Sequence, residues 1–299
     1  MFGSAERTLI AMLVAFVFHA CASAGAQNYG EDDPDAEGVD DQYASASAGR
    51  GEASVTVTYA KTAQGNWDRA EAEFQDGNFL AAQKYYTYIR AKFPYSAHAL
   101  QADLRIADCL HGRARFLEAI DAYQNFIRLH PTHERVAYAM FKVGSAYFEQ
   151  IPTDWFFLPP SHEKDQSAVR DAERALKAYV ERYPSDASFE EGKALLMDVR
   201  RRLAAHERYA ADFYANEEKP LSRIGRLEVL RKDFADVSLD AALLLEMIEV
   251  RLELREVDAA NQLLAELSSK FPGTKEIERA QRAIAQAKLV SSDPMPPAP

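Results

Sequence analysis

The feature that most constrains this chain is a spacing that recurs along it. Ala82, Tyr86 and Pro94 stand four and then eight residues apart, and so do Ala119, Tyr123 and Pro131, then Ala172, Leu176 and Pro184, then Ala260, Leu264 and Pro272. A fourth, degenerate copy in chain order keeps the offsets as Arg223, Leu227 and Ala235, which makes five. Each proline ends a helix, because it lacks the N–H the next turn requires. A small residue one turn before a large one lets two helices approach closely and fills the groove between them. Apolar residues recur at helical spacing from about Val57 to Val290, and β-branched runs bounded by turn signals are missing from this stretch. The chain is therefore read as all-α.

The alanine, large residue and proline resemble the latter part of the tetratricopeptide consensus. That resemblance implies a right-handed superhelical solenoid of about five helix pairs with a C-terminal capping helix, and a concave face that receives extended or helical polypeptide. The pairs are expected near residues 64–97, 98–133, 134–185, 186–236 and 237–273, with the cap at 274–290. Gly77, Asn78 and Phe79 stand where Ala114, Arg115 and Phe116 stand in the next copy, and mark the turn inside the first two pairs. The prolines of the first two copies lie 37 residues apart, whereas the middle intervals are 53 and 51, so the third unit carries an insertion and the fourth an elongated helix.

The flanks read differently. Arg7 precedes the apolar run Leu9–Phe18, too short to span a bilayer and followed by small residues, as in an export signal over residues 1–20. Phe18, His19, Ala20 and Cys21 resemble a lipobox, which implies a covalent lipid on Cys21 as the mature N-terminus. Ala22 after that cysteine favours sorting to the outer membrane, while Ala24, Gly25 and Ala26 offer an ordinary cleavage site instead. Residues 21–56 form an acidic tether with seven acids between Glu31 and Asp41, read as a solvated spacer, and Pro294–Pro299 form a tail over 291–299. A formal net charge of −11 argues against nucleic acid as a partner. Cys109, the other cysteine, sits in a helical stretch where a small apolar side chain suits the core, so no disulfide framework is in play.

Reactive centres were sought. His130 and His133 straddle a helix-ending proline and no third ligand stands nearby, so no metal site is expected. His206 and Glu207 lack the second histidine of a zinc-protease motif, and no phosphate loop, dinucleotide fingerprint or nucleophile elbow is present. No catalytic residue and no cofactor beyond the lipid is expected. Arg200, Arg201 and Arg202 form a basic cluster that suits a phosphate, an acidic partner or a polar helix face equally. Among Tyr85, Tyr86 and Tyr88, periodicity places most in the core and leaves Tyr88 to face a ligand.

Two stretches carry a narrower resemblance. Arg128, Leu129, His130 and Pro131, then Ala137–Ala139, then Ala146–Pro152 are similar to the BamD (YfiO or ComL) family, as are Arg202–Glu207, Tyr209–Ala211, Phe213 and Tyr214. The likeness runs from Gln64 to Ala287. It implies a non-enzymatic lipoprotein on the periplasmic face of the outer membrane that helps fold and insert β-barrel proteins. Its C-terminal half would bind a POTRA domain of BamA and its N-terminal repeats would meet unfolded barrel substrates, with other Bam lipoproteins as further partners. Arg226, Leu227 and Glu228 match the family's Arg-x-Glu, so Arg226 and Glu228 inherit a BamA contact, with Arg223 one turn earlier on the same side. The chain departs from the family in its long acidic tether and in an insertion that places Trp155, Phe156, Phe157 and Leu158 in a loop, as a plug folded onto the solenoid or a partner contact. The second reading is another periplasmic tetratricopeptide adaptor, such as a cell-division coordinator or a pilus-secretin pilotin.

Overall fold

The structure is a computed structural model that describes residues 55–152 and 165–292. Among the described residues there are helices and no strand: α1 (Ala63–Gln75), α2 (Phe79–Lys92), α3 (Ala97–Gly112), α4 (Phe116–Leu129), α5 (Val136–Glu149), α6 (Ser167–Arg182), α7 (Phe189–Asn216), α8 (Pro220–Asp233), the single turn α9 (Ala235–Ser238), α10 (Ala241–Glu253), α11 (Val257–Lys270) and α12 (Lys275–Ser292). Each helix packs on its sequence neighbour: α1 on α2, α3 on α4, α5 on α6, α7 on α8 and α10 on α11, with α12 closing the stack against α10 and α11. The all-α tetratricopeptide solenoid is what the chain builds.

The junctions follow a rule set by backbone chemistry. Gly77, Ala114, Glu218 and Arg255 take the left-handed conformation, each two residues before the second helix of its pair. The next N–H then reaches back five residues: Asn78 to Glu73 O at 2.8 Å, Arg115 to Leu110 O at 2.9 Å, Lys219 to Tyr214 O at 3.0 Å and Glu256 to Arg251 O at 2.8 Å. These closures satisfy carbonyls that a helix C-terminus leaves open. Three of the four use a residue with a Cβ, at a cost of about 1 kcal/mol each. Side-chain caps open other helices: Thr62 accepts from Gly65 N, Ser96 from Ala99 N and Asp240 from Leu243 N.

The recurrent alanines pack as their spacing requires. Ala82, Ala119, Ala172 and Ala260 are fully buried, as are the larger Tyr86, Tyr123 and Leu176 one turn on and, after Arg223 in the degenerate copy, Leu227, whereas Leu264 of the last copy is half-buried. Close approach also fixes two glycines. A Cβ on Gly144 would stand 2.6 Å from Leu176 Cδ2, and one on Gly192 would stand 2.6 Å from Tyr179 Cε1. The core forms two clusters, one through α1–α5 and one from α6 to α12, with Tyr147 packed against both. The elongated helix of the fourth pair is α7, 28 residues long, which contacts α5 and α6 as well as α8 and α9.

Candidate partner-docking surface

The residues singled out for partner contact lie on α8. Packing α8 between α7 and α10 buries Ile224, Leu227 and Leu230 and turns Arg223, Arg226, Glu228 and Arg231 toward the neighbouring helices' polar flanks. Arg226 keeps 41% of its side chain exposed while its Nη1 donates to Glu207 Oε2 of α7 at 3.0 Å. The hydrogen bond to Glu207, with a further one to Tyr214, holds the guanidinium charged above its already high range. One side of the fork is thus pinned and the rest faces solvent, a preorganised donor for a carboxylate.

Arg223 and Glu228 do different work. Arg223 Nη2 donates to Glu246 Oε1 of α10 at 2.8 Å, and Arg208 of α7 reaches the same carboxylate, so Glu246 ties three helices. Arg223 Nε is buried without a hydrogen-bond partner. Glu228 accepts from Arg231 at 2.7 Å and Arg251 at 3.2 Å, with Lys232 at 3.2 Å, and Arg231 continues to Glu266 of α11 at 2.7 Å. Burial raises the Glu228 carboxyl, yet these three cations outweigh it and hold it below the usual range. Both residues join the fourth pair to the fifth. Of the three, Arg226 alone presents a half-exposed charged group.

Helices α7 and α8 also expose large side chains. Tyr209 and Phe213, one turn apart on the second half of α7, are exposed, and so is Leu221 at the start of α8. Sequence reasoning noted Tyr209 and Phe213 only as points of resemblance. The signal that could have found them is the length of α7, 28 residues against 14 in its partner α8.

Other expectations fall elsewhere. Tyr88, expected to face a ligand, is instead nearly buried under its own chain: the Tyr59 ring stacks on it with centroids 4.0 Å apart and planes 9° apart. Periodicity within α2 could not show this, because the covering residue lies upstream of the first helix. Tyr85 and Tyr86 are buried, and Tyr86 donates to Glu71 at 2.6 Å. Arg200 is engaged internally, with Glu173 at 2.6 Å and Asp236 at 2.6 Å, and so fastens α7 to α6 and α9. Arg202 pairs with Asp198 at 3.2 Å. His130 and His133 both lie against the Phe126 ring. Among the described residues no three His, Cys, Asp or Glu side chains gather as metal ligands, and no helix is long and apolar enough to cross a membrane. Cys21, Trp155, Phe156 and Phe157 lie outside the described residues.

A charged cluster that the sequence did not reveal links the first three pairs. Asp108 of α3, nearly buried, accepts from Tyr123 of α4 at 2.7 Å and Tyr138 of α5 at 3.0 Å, while Arg105 bridges it to Glu71 of α1. Burial raises both tyrosine hydroxyls far above their ordinary pKa, and the adjacent carboxylate adds to it, so they remain donors.

Comparison with known proteins gives this arrangement a family. The family described as YfiO, outer membrane lipoprotein, matches residues 59–262, more than half of the chain. The chain is 24% identical over 190 residues to outer membrane protein assembly factor BamD of Vibrio cholerae, covering 62% of this chain and 77% of that protein. It is 26% identical over 208 residues to the same-named factor of Caulobacter vibrioides, covering 70% and 66%. To that of Neisseria gonorrhoeae it is 25% identical over 179 residues, covering 57% and 65%. A tetratricopeptide protein from Thermus thermophilus aligns at 14% identity with a TM-score of 0.31, over 76% of this chain and 100% of that one, a likeness too low to carry an argument. With a match that runs across residues 59–262, this chain belongs to the YfiO family of outer membrane lipoproteins.

Proposed function

We propose that the protein is a non-enzymatic assembly factor for outer-membrane β-barrel proteins, held at the periplasmic face of the outer membrane by a lipid on Cys21. In this reading the fourth and fifth pairs dock a POTRA domain of BamA, the first three meet unfolded barrel chains, and other Bam lipoproteins join the same complex. The names of the relatives support it, since each is an outer membrane protein assembly factor. The observation that carries the docking side is Arg226, held by Glu207 and 41% exposed, on a helix packed against α7, which itself exposes Tyr209 and Phe213. Arginine and aromatic side chains are enriched at interface hot spots. The interlocked ion pairs of Arg223, Glu228, Arg231 and Arg251 support it too, because they fix the fourth pair against the fifth and make a rigid platform.

The test is a photo-crosslinker at position 226 in the native cell envelope, followed by mass spectrometry. Capture of a POTRA-bearing barrel protein is expected. Capture of cell-division or pilus-secretin components in its place, by protein that remains folded, overturns the assignment.

A further inference from the structure

Ahead of α1 the chain runs through Val55, Thr56, Val57, Thr58 and Tyr59, in which apolar and threonine side chains alternate at the edge of the described helical stack. Its burial alternates as a strand's does: Val55, Val57 and Tyr59 are half-buried against the helices, while Thr56 and Thr58 are exposed. The segment is anchored at intervals. Lys84 donates to Val55 O, Arg69 donates to Thr58 O at 2.8 Å, and Asn66 brackets Ala60 by accepting from its N–H at 2.9 Å and donating to its carbonyl at 2.7 Å. Tyr59 is clamped between Tyr88, stacked at 4.0 Å, and Tyr85, edge-on at 5.7 Å. Between the anchors, the backbone groups of Thr56 and Val57 make no hydrogen bond among the described residues.

Alongside lies an open groove of about 860 Å³, lined by Val55–Thr58 together with Ala72, Phe79, Leu80 and Tyr85. Its charged lining residues are two acids, Glu73 and Asp76, and two bases, Arg69 and Arg113, so the charges balance and the groove suits an uncharged occupant. Natural proteins protect bare strand edges with Pro, Lys or inward charges, because such an edge pairs with any extended chain. Residues 55–59 carry none of these.

We propose that Val55–Tyr59 is a docking edge, onto which an extended, uncharged polypeptide with alternating apolar and polar side chains adds as a β-strand and lays its apolar side chains into the groove. The backbone of Thr56 or Val57 supplies the pairing, and Phe79, Leu80 and Tyr85 receive the side chains. Unfolded barrel chains consist of such strands, so the identity of the cargo rests on the assembly-factor reading above. The pairing itself rests on the edge and the groove.

The test uses the full chain and a fluorescein-labelled synthetic decapeptide in which Val or Tyr alternates with Thr, with a twin N-methylated at every second residue. Methylation removes the donors of one edge and leaves the side chains in place. By fluorescence anisotropy the plain peptide binds and the twin binds at least about tenfold more weakly, the loss expected for one to two backbone hydrogen bonds. Successive residues of a strand point their N–H groups to opposite edges, so of Thr56→Pro and Val57→Pro one weakens binding at least about tenfold more than the other. Both substitutions lie outside the helices, and unchanged far-ultraviolet circular dichroism confirms the fold. Equal binding of the two peptides, equal effects of the two prolines, or no binding of the plain peptide overturns the proposal. The position-226 crosslink is read in parallel in both variants: its failure counts against the assembly reading and leaves the edge untouched.

Discussion

Replacing Gly144 with alanine in α5 and Leu176 with alanine in α6 tests whether the repeat's large residue interlocks with the glycine of the helix it packs on. Leu176 is fully buried, and its truncation leaves a void that costs about 3 kcal/mol. The alanine at 144 gains about 1 kcal/mol of helix propensity. Against this, its Cβ meets Leu176 Cδ2 at 2.6 Å and Cγ at 2.9 Å, an overpacking that costs about 2 kcal/mol. The single variant is then about 1 kcal/mol less stable than the parent, the difference of those two effects. In the double variant the clash is gone and the new methyl occupies part of the void. Independent effects would give about 4 kcal/mol of destabilisation, whereas the contact predicts about 2 kcal/mol, a coupling of about 2 kcal/mol. Urea denaturation followed by circular dichroism measures the cycle, and amide exchange in α5 and α6 shows whether the change stays local, since stacked repeats need not unfold as one unit. Additivity within about 0.3 kcal/mol would show that the two positions do not touch and would refute the packing argument.

Three further outcomes follow from buried polar groups. Asp108→Ala strands the hydroxyls of Tyr123 and Tyr138 and leaves Arg105 with Glu71 alone, so denaturation should show a loss of about 3 kcal/mol, while Asp103→Ala on the exposed side of α3 should lose under about 1 kcal/mol. His111 is held below its ordinary pKa chiefly by burial, with Lys142 adding to this and Glu149, 3.3 Å away, and Asp108 opposing it; the folded state therefore binds fewer protons, stability is full above about pH 6.5 and falls as pH drops below it, and His111→Gln should flatten the profile below about pH 6.5 in unfolding titrations. The Cys109 thiol is pushed up to about 12 by burial and the neighbouring Asp108, so it should resist alkylation in the native protein and react only on unfolding, and its contribution to stability is lost as pH rises from about 9 toward 12.

The fold was legible because its decisive signal is local. A buried alanine, a large residue one turn on and a proline after the helix each act within one helix, and the register repeats. The left-handed turns were half legible. Gly77 announced one, but Glu218 and Arg255 adopt the same conformation under the tertiary packing of their pairs, and no residue type advertises that. The candidate surface was legible only as a resemblance at Arg226. The ties of Arg223 to Glu246, Arg200 to Asp236 and Arg231 to Glu266 join residues 23, 36 and 35 positions apart, separations set by how helix pairs stack and not by any pattern within one helix. Tyr88 illustrates the same limit from the other side. Its helical position left it free, and Tyr59, 29 residues upstream, covers it.

The proposed role of this helical stack is to assemble outer-membrane barrels by binding other proteins. The most direct measurement is the folded fraction of a major barrel protein, read from its heat-dependent mobility on gels, after the native chain is depleted and then replaced. Depletion should lower that fraction, and replacement should restore it with the parent chain but less well with Arg226→Glu. Unchanged barrel folding after depletion would contradict the account.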